Sequence, residues 1–360
     1  MTRSADMPRH VHLNGSVNLD TVEEVFATCG SILGKRLKRI PDGEPGGRRM
    51  WISYQMPVLR VNTALQTPAG GPPGLGLSPT RREGEEAPRR ANPNALELRP
   101  GLTAKDVSFP ELGYSLEAIA SYREFRKARA KGKIAKGVRF QVCLPTPAGV
   151  VMPFIQPSAH AAVEPAYEKA MLREVKKICA EIPHKDLAIQ WDVCIEMVMF
   201  DGRFYPGGWP DPGKGTVERL ARISKPIPKD VELGIHLCYG DLDGAHFVQP
   251  QDIGKAVELA NLILAGVKRP IQWVSMPVPR DRADDAYFRP LGNLKLGKET
   301  ELVLGLVHSE DGVAGTRKRI ATASKYAKDF AVATECGIGR KWKPKEVAPL
   351  LRVHAAVTQA

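Results

Sequence analysis

The chain contains no apolar run long enough for a membrane-spanning helix, and no apolar run follows the polar start Met1-Thr2-Arg3-Ser4. These absences predict a protein with no membrane segment or secretory leader, and we expect it in the cytoplasm. Aromatic residues make up only 6% of the 360 residues. Neither a helix-turn-helix pattern nor an aromatic RNA-binding signature occurs, so we expect no nucleic-acid partner and no membrane partner.

Acidic residues are fewer than basic ones. The chain has 40 Asp and Glu against 52 Lys and Arg, which gives a formal net charge of +12. The basic residues are dispersed, with local clusters at 35–39 and 123–136. We interpret this pattern as a solvated basic surface, and secondly as an attraction for a small anionic molecule.

Cysteine is scarce and scattered, with six in the chain. In the reducing cytoplasm such residues are more often free, metal-bound or catalytic than paired in disulfides. Four of them have no partner at the spacing of metal ligands and are expected to be structural: Cys29, Cys143, Cys179 and Cys194. The other two belong to the motifs described next.

Short β-rich apolar runs alternate with helical patterns along the chain. Strands are predicted at 10–17, 138–144, 187–192, 232–238, 271–276, 302–307 and 330–334, and helices at 19–33, 116–130, 165–181, 215–223, 253–265 and 313–326. This alternation predicts an α/β protein, a (β/α)8 TIM barrel with insertions formed by one domain over 1–360. A segment at about 67–110, first Pro/Gly-rich and then charged, interrupts the rhythm and is interpreted as a substrate lid or a dimerisation arm of a homo-oligomer.

A histidine and a cysteine end one of the predicted strands. In Gly234-Ile235-His236-Leu237-Cys238 the two side chains are two residues apart, so on a strand they point to the same side. A third residue of the same kind, Cys336, stands in Thr334-Glu335-Cys336-Gly337. Imidazole and thiolate groups are the usual ligands of zinc, so the spacing of His236 and Cys238 predicts zinc chemistry.

Several of these segments resemble, in the same chain order, the catalytic C-terminal barrel of the cobalamin-independent methionine synthases, within the superfamily that also contains uroporphyrinogen decarboxylases. Gly234 to Tyr239 is similar to that family's His-x-Cys strand, and Glu335-Cys336-Gly337 to its Asp-Cys-Gly segment. The resemblance implies a divergent, single-barrel member in which His236, Cys238 and Cys336 bind zinc.

Three further segments carry the resemblance to the parts of the family that handle substrate. Ile189-Gln190-Trp191-Asp192 is similar to Ile-Gln-Ile-Asp, which implies that Asp192 holds the substrate, and Gly305 to Ser309 resembles Asp-Ile-His-Ser, which implies proton transfer by His308. Asp42-Gly43-Glu44 is similar to His-Gly-Glu, which implies substrate binding by Glu44 and its neighbour Asp42.

The same residues also have interpretations that do not depend on the resemblance. Asp192 ends an apolar strand, where a carboxylate needs a partner, and His308 is either a proton donor and acceptor or a hydrogen-bonded structural histidine. Asp42 and Glu44 are alternatively turn formers. His12 and Asn14, at the end of the first predicted strand, are expected to point into the same site.

One ligand of the family is missing. Its glutamate ligand ends the strand between the two cysteine segments, where this chain has Ser275 and Met276, neither of them a usual zinc ligand. Three alternatives remain open: three protein ligands completed by substrate or water, a substitute ligand from elsewhere, or no stable metal.

Three functions follow as hypotheses. The first is a zinc-dependent transferase that activates a small-molecule thiol and moves a methyl or alkyl group to it from a donor, with anionic substrates expected. The second is a lyase, decarboxylase or demethylase on the same barrel, acting on a small anionic substrate with or without zinc. The third is a binding protein that has lost the metal. Folate is compatible with the first hypothesis but is not implied, since the chain has the length of one barrel only.

Overall fold

The computed structural model describes residues 7–69, 95–202, 208–240, 246–339 and 341–359. Its main feature is a curled sheet of seven parallel strands, in the order β1-β4-β5-β6-β7-β8-β9. These strands are β1 (Arg39–Pro41), β4 (Arg139–Pro145), β5 (Leu187–Val193), β6 (Glu232–Leu237), β7 (Trp273–Pro277), β8 (Glu301–Gly305) and β9 (Ala331–Val332). Because the strands are parallel, their carboxyl ends lie at one edge of the sheet.

The predicted strand at 10–17 is not a regular strand. Val11 makes single parallel bridges to Leu37 and to Val332, so it connects the two ends of the seven-stranded sheet, and Val17 bridges Ile338. Between them Gly15 has a φ of 132°, a conformation outside the β region of L-residues, and this turn interrupts the pairing. The prediction of a continuous strand was therefore wrong, although Val11 lies where its pairing was expected.

Helices cover the sheet, and all six predicted helical stretches are present. The bounds are α1 (Val22–Leu33), α2 (Met56–Arg60), α3 (Tyr114–Ala130), α4 (Pro147–Phe154), α5 (His160–Glu181), α6 (Ile195–Phe200), α7 (Pro212–Ser224), α8 (Gly254–Gly266), α9 (Asp285–Phe288), α10 (Gly312–Ala323) and α11 (Pro344–Ala356). Five of these helices were not predicted. Three of them are short, α2, α6 and α9, and the other two, α4 and α11, each contain an internal proline, Pro153 and Pro349, which is usually a helix breaker.

The central strands are buried on both faces, which explains their nearly continuous apolar sequences. Every residue of β5 and of β7 is buried. A parallel sheet covered by helices requires such strands, because neither face meets water. Polar residues in these strands, such as Gln190 and Asp192, must therefore find partners within the protein.

The two ends of the predicted insertion meet in a small ribbon. Strands β2 (Leu65–Gln66) and β3 (Glu97–Leu98) pair antiparallel, and Leu96 bridges Ile155 next to α4. Residues 70–94, the centre of the segment interpreted as a lid or dimerisation arm, lie outside the described residues, and that interpretation stays a prediction. Within the described ranges, no helix is both long and apolar enough to cross a membrane.

The basic cluster at 35–39 is not wholly a solvated surface. Arg39, on β1, is only 5% exposed, and its guanidinium pairs with Glu232 of β6 and Glu301 of β8. The guanidinium also lies 4.1 Å from the centre of the Trp273 ring. These partners come from the amino ends of three strands, so Arg39 lies inside the sheet at the end opposite the strand tips.

A buried histidine in α11 should make stability depend on pH. His354 is fully buried, its Nδ1 lies 2.9 Å from the Leu350 carbonyl oxygen, and burial lowers its pKa from 6.5 to about 4. The unfolded chain therefore takes up a proton below pH 6.5 that the folded chain refuses until about pH 4. This histidine stabilises the fold less as pH falls through that window.

We expect His354→Leu to remove this contribution. Relative to the variant, the unmodified protein should lose about 2 kcal/mol of unfolding free energy between pH 7 and pH 4.5. Urea unfolding at a series of pH values measures the difference. A pH profile for His354→Leu parallel to that of the unmodified protein would contradict the expectation.

Candidate metal centre at the carboxyl ends of the strands

The three residues predicted to bind zinc come together. His236 lies in β6, Cys238 follows the end of that strand, and Cys336 follows β9. One ligand atom from each lies within 4.8 Å of the others, and the two sulfur atoms are 3.7 Å apart. Three soft ligands converging on one point form an arrangement suited to a tetrahedral zinc ion.

His236 has the environment of a ligand rather than of a structural histidine. Its side chain is 2% exposed, and neither ring nitrogen has a hydrogen-bond partner within the described part of the chain. Leaving a buried polar atom unpaired costs roughly 1–3 kcal/mol, so such atoms are rare and call for a partner. A metal ion would supply that partner, and the donor set therefore fits zinc.

The two cysteines are protonated thiols at neutral pH. The pKa of Cys238 is raised well above its usual value, first by the interaction with the Cys194 thiol and then by burial, while the interaction with the Cys336 thiol acts in the opposite direction. The pKa of Cys336 is likewise raised, first by Cys238 and then by burial, while the nearby imidazole of His236 acts in the opposite direction. Binding a metal here would displace the thiol protons, so its affinity should rise with pH.

A cavity of about 370 Å³, partly open to solvent, surrounds the cluster. Its lining includes six residues predicted from the sequence: Asn14, Glu44, Asp192, His236, Cys238 and Cys336. Five other lining residues were not identified in advance: Ser16, Trp51, Cys194, Gly240 and Gly337. The backbone N–H of Gly240 donates to Cys238 Sγ at 3.2 Å, a contact that stabilises a thiolate.

Gln190 positions Asp192 from the inside of the sheet. Its side-chain nitrogen donates to Asp192 Oδ1 at 2.9 Å and to the Asn14 carbonyl oxygen at 3.0 Å. Its side-chain oxygen accepts from Trp273 Nε1 at 3.2 Å and faces His12 Nε2 at 3.0 Å. Asp192 is thus held with its carboxylate at the cavity, where the substrate-binding prediction places it.

His12 belongs to this supporting network and not to the cavity lining. It is 3% exposed, and burial, followed by the charge of Arg39, lowers its pKa to about 3. At neutral pH the ring is therefore uncharged, and a neutral Nε2–H donates to Gln190. Its predicted contact with substrate remains a prediction.

Strand β7 stands where the methionine synthase family has its glutamate ligand, and here its serine hydroxyl already makes a hydrogen bond. Ser275 is fully buried opposite His236 in the sheet, and its hydroxyl donates to Asn14 Oδ1 at 2.9 Å. The amide of Asn14 donates to the Thr334 carbonyl oxygen at 2.8 Å, just before Cys336. Met276 is also fully buried. Ser275 therefore helps to hold Asn14 at the cavity instead of replacing the glutamate.

Asp42 and Glu44 occupy a turn whose backbone is strained at the cavity. Asp42 accepts from the Glu44 backbone N–H at 3.0 Å and pairs with Arg48 at 2.9 Å. Glu44 has a φ of 54° and Trp51 a φ of 49°, although neither is glycine, and both line the cavity. Such conformations cost of order 1–3 kcal/mol each and cluster at functional sites. Asp42 itself lines a neighbouring cavity of about 340 Å³, which shares Glu44 with the first.

His308 lies behind the cavity lining. It is 1% exposed, with Nε2 2.9 Å from the Val278 carbonyl oxygen and Nδ1 3.7 Å from a carboxylate oxygen of Glu335. Burial, and secondly the charge of Arg319, lowers its pKa to about 3. The ring is neutral at pH 7 and Nε2–H donates to the carbonyl, which leaves Nδ1 facing Glu335, the neighbour of Cys336. Proton transfer by His308 stays a prediction.

One buried carboxyl group near the site had no signal in the sequence. Glu196, in the first turn of α6, is 1% exposed, and burial raises its pKa to about 7. The Thr146 hydroxyl donates to one of its oxygens at 2.5 Å. Glu196 follows strand β5 in a loop-like sequence, which favours a solvated acid. The sequence does not indicate its burial, because burial by a helix from another part of the chain leaves no local pattern.

Comparisons with known proteins place the fold. No protein-family model and no curated protein matches the sequence. Among solved structures, the chain is similar to a Listeria monocytogenes protein assigned as a vitamin B12-independent methionine synthase, with 11% identity, a TM-score of 0.52 and coverage of 98% of this chain and 99% of that one. It is also similar to a B12-independent methionine synthase from Shewanella sp. W3-18-1 in complex with selenomethionine, with 14% identity, a TM-score of 0.58 and coverage of 97% and 96%.

These similarities show that the chain has the α/β fold of those two structures, over almost the whole length of both chains in each comparison. The predicted resemblance is thus confirmed for the fold. At this identity the similarity does not extend to the activity, which has to be argued from the residues of the site.

Proposed function

We propose that this protein is a zinc-dependent transferase that activates a small-molecule thiol and transfers a methyl or alkyl group to it. The observation that carries the proposal is the convergence of His236, Cys238 and Cys336 at the strand tips, with both nitrogens of His236 buried and lacking a partner within the described residues. Bound zinc would lower the pKa of an incoming thiol and keep its sulfur nucleophilic.

The other lining residues supply a place for the thiol substrate. Asp192 and Glu44 put two carboxylates at the cavity, and these suit the ammonium group of an amino-acid-like thiol. Asn14, held by Ser275 and the Thr334 carbonyl oxygen, adds an oriented amide. The strained backbone at Glu44 and Trp51 keeps both residues in place before substrate arrives.

The nature of the two similar structures supports the same proposal. Both are described as B12-independent methionine synthases, one of them holding selenomethionine, a product-like molecule. Each is matched over 96% or more of its length, which agrees with a divergent member built as one barrel. We further propose that the segment around Val11 serves as the eighth strand of a closed (β/α)8 barrel, because it bridges both ends of the sheet.

Metal analysis joined to an activity screen tests the proposal. The purified protein should contain about one zinc per chain, and it should alkylate one of a panel of thiols, homocysteine-like and simple alkanethiols among them, from methyl donors such as methylated folates, sulfonium and methoxylated compounds. Chelation should abolish the activity and zinc should restore it. A protein that folds, binds no zinc and transfers no group to any thiol would refute the proposal.

The lyase, decarboxylase and demethylase alternatives give a different result in the same experiment. They depend on acids and bases acting directly, so their activity on a small anionic substrate would survive chelation. Substrate turnover by zinc-free protein, monitored by carbon dioxide or formaldehyde release, would favour them.

A further inference from the structure

A third cysteine lines the cavity that holds the cluster of His236, Cys238 and Cys336. Cys194 is 1% exposed and lines the same cavity as His236, Cys238 and Cys336. It was expected to be structural because nothing near it in the sequence has ligand spacing. The sheet brings it to the site from a different strand.

Strand register places Cys194 beside Cys238. Strands β5 and β6 pair in parallel, with Asp192 opposite His236 and Val193 opposite Leu237. The pairing continues past the strand ends, since the Cys238 backbone N–H donates to the Val193 carbonyl oxygen at 3.2 Å. Cys194 and Cys238 are the next residues after strands β5 and β6, and neighbouring strands lie about 4.8 Å apart.

The alternation of side chains along a strand puts four residues on the same side of the sheet. Asp192 and Cys194 are two residues apart on one chain, as are His236 and Cys238 on its neighbour, so an Asp-x-Cys segment lies next to a His-x-Cys segment. In agreement with this placement, Cys194 and Cys238 line the same cavity.

The cluster needs one more ligand, and β7 does not supply it. Structural and many catalytic zinc sites are tetrahedral, with four ligands in all. Ser275 is committed to Asn14, and Met276 carries a thioether, which zinc rarely takes. Within the described residues, Cys194 is the one further thiol that lines the cavity.

We propose that Cys194 is the fourth protein ligand of the metal centre, which makes it a three-cysteine, one-histidine site in place of the two-cysteine, one-histidine, one-glutamate pattern. The inference rests on the proposed zinc centre, and an incoming thiol would then enter as a fifth ligand or displace one of the four protein ligands. The Cys194 carbonyl oxygen is held by the Val198 N–H at 3.1 Å, so rotation about χ1 is the motion that moves its sulfur toward the other three ligand atoms. Three sulfur ligands favour soft and borderline metals over magnesium or calcium.

X-ray absorption of the zinc-loaded, unmodified protein counts the sulfur atoms directly. We expect about three sulfur ligands at roughly 2.3 Å and one nitrogen ligand at about 2.0 Å. Two sulfur ligands in a zinc-loaded protein would overturn the role of Cys194. This measurement needs no variant, so it holds even if a substitution at Cys194 impairs folding.

Cobalt substitution of matched variants gives a second count. In Cys194→Ser the sulfur-to-cobalt charge-transfer absorption should fall by about one third, as expected for two thiolates instead of three, and zinc affinity should fall on the order of tenfold to a hundredfold. Cys143→Ser is the control, since Cys143 lies within the neighbouring strand β4 and lines the second cavity instead of the one that holds the cluster. An unchanged spectrum in Cys194→Ser would contradict the proposal.

The outcomes separate this inference from the proposed function. Three sulfur ligands without transfer to any thiol would support Cys194 as a ligand and refute the transferase. Two sulfur ligands with thiol alkylation would support the transferase and refute the role of Cys194. A folded chain that takes up neither zinc nor cobalt would overturn both.

Discussion

Replacing His236 with leucine should weaken zinc binding by on the order of a hundredfold to a thousandfold, if a binding free energy of about 10–16 kcal/mol is shared among four ligands. The metal-free protein should respond in the opposite direction. Its imidazole is 2% exposed with both nitrogens lacking a partner in the described chain, and leucine has a similar volume without the polar atoms. We expect the unfolding free energy of metal-free His236→Leu to stay the same or to rise by about 1 kcal/mol.

A ligand is identified when its substitution weakens zinc binding but does not lower the stability of the metal-free protein. With zinc in excess, the unmodified protein gains stability because the ion binds the folded chain only, and the variant does not share that gain. Denaturant unfolding with and without zinc, together with competition titration against a chromophoric chelator, measures both effects.

His12→Leu is the matched control for this experiment. His12 is equally buried, but its Nε2 has a partner in Gln190 at 3.0 Å. Its loss leaves a buried amide oxygen with one partner fewer, so the variant should be less stable by roughly 1–3 kcal/mol with or without zinc. If His236→Leu behaves like His12→Leu in the absence of metal, the imidazole has a structural role and the metal centre is wrong.

Replacing Arg39 with methionine should cost about 3 kcal/mol of unfolding free energy, the second large effect. Arg39 is 5% exposed, and its guanidinium lies between Glu232, Glu301 and the Trp273 ring. Methionine retains much of the packing volume but leaves two carboxylates at the end of the sheet without their buried cation. Breaking a buried ion pair from one side is strongly destabilising for this reason.

A comparison with an exposed arginine makes the Arg39 prediction specific. Arg222→Met removes a doubly hydrogen-bonded ion pair with Glu168 at an arginine that is 51% exposed, and it should cost less than about 1 kcal/mol. Urea unfolding at pH 7 gives all these values. A loss for Arg39→Met no greater than that for Arg222→Met would show that the buried cluster contributes little.

The parallel strands and their helices were readable from the sequence because each central strand is a short apolar run buried on both faces. Strand β5 at Leu187–Val193 and helix α5 at His160–Glu181 lie close to their predicted bounds. The prediction of strands and helices was wrong where local sequence signals conflict with the packing of the fold. Gly15 interrupts the first predicted strand. An internal proline kept α4 and α11 from being predicted as helices, whereas the other proline of each helix stands at its start, where proline is tolerated.

Six of the residues that line the cavity were named from the sequence, and their roles stay predictions. His236 and Cys238 are visible because strand alternation puts both on one side, a relation between residues two apart that the sequence itself displays. Cys336 and Asp192 were found through the family resemblance. Cys194 and Trp51 had no such signal, since their contacts with the site connect segments from different parts of the chain.

The candidate ligand types, and the side of the strand on which His236 and Cys238 lie, follow from the sequence, because they depend only on side-chain chemistry and on the period of the backbone. The folded structure was needed to show which residues share the cavity, that Ser275 donates to Asn14, and that Cys194 lies beside Cys238. Those relations depend on the register between β5 and β6, which is set by packing of the whole sheet. The His-x-Cys motif thus predicted a metal site, and the fold placed Cys194 at the same cavity.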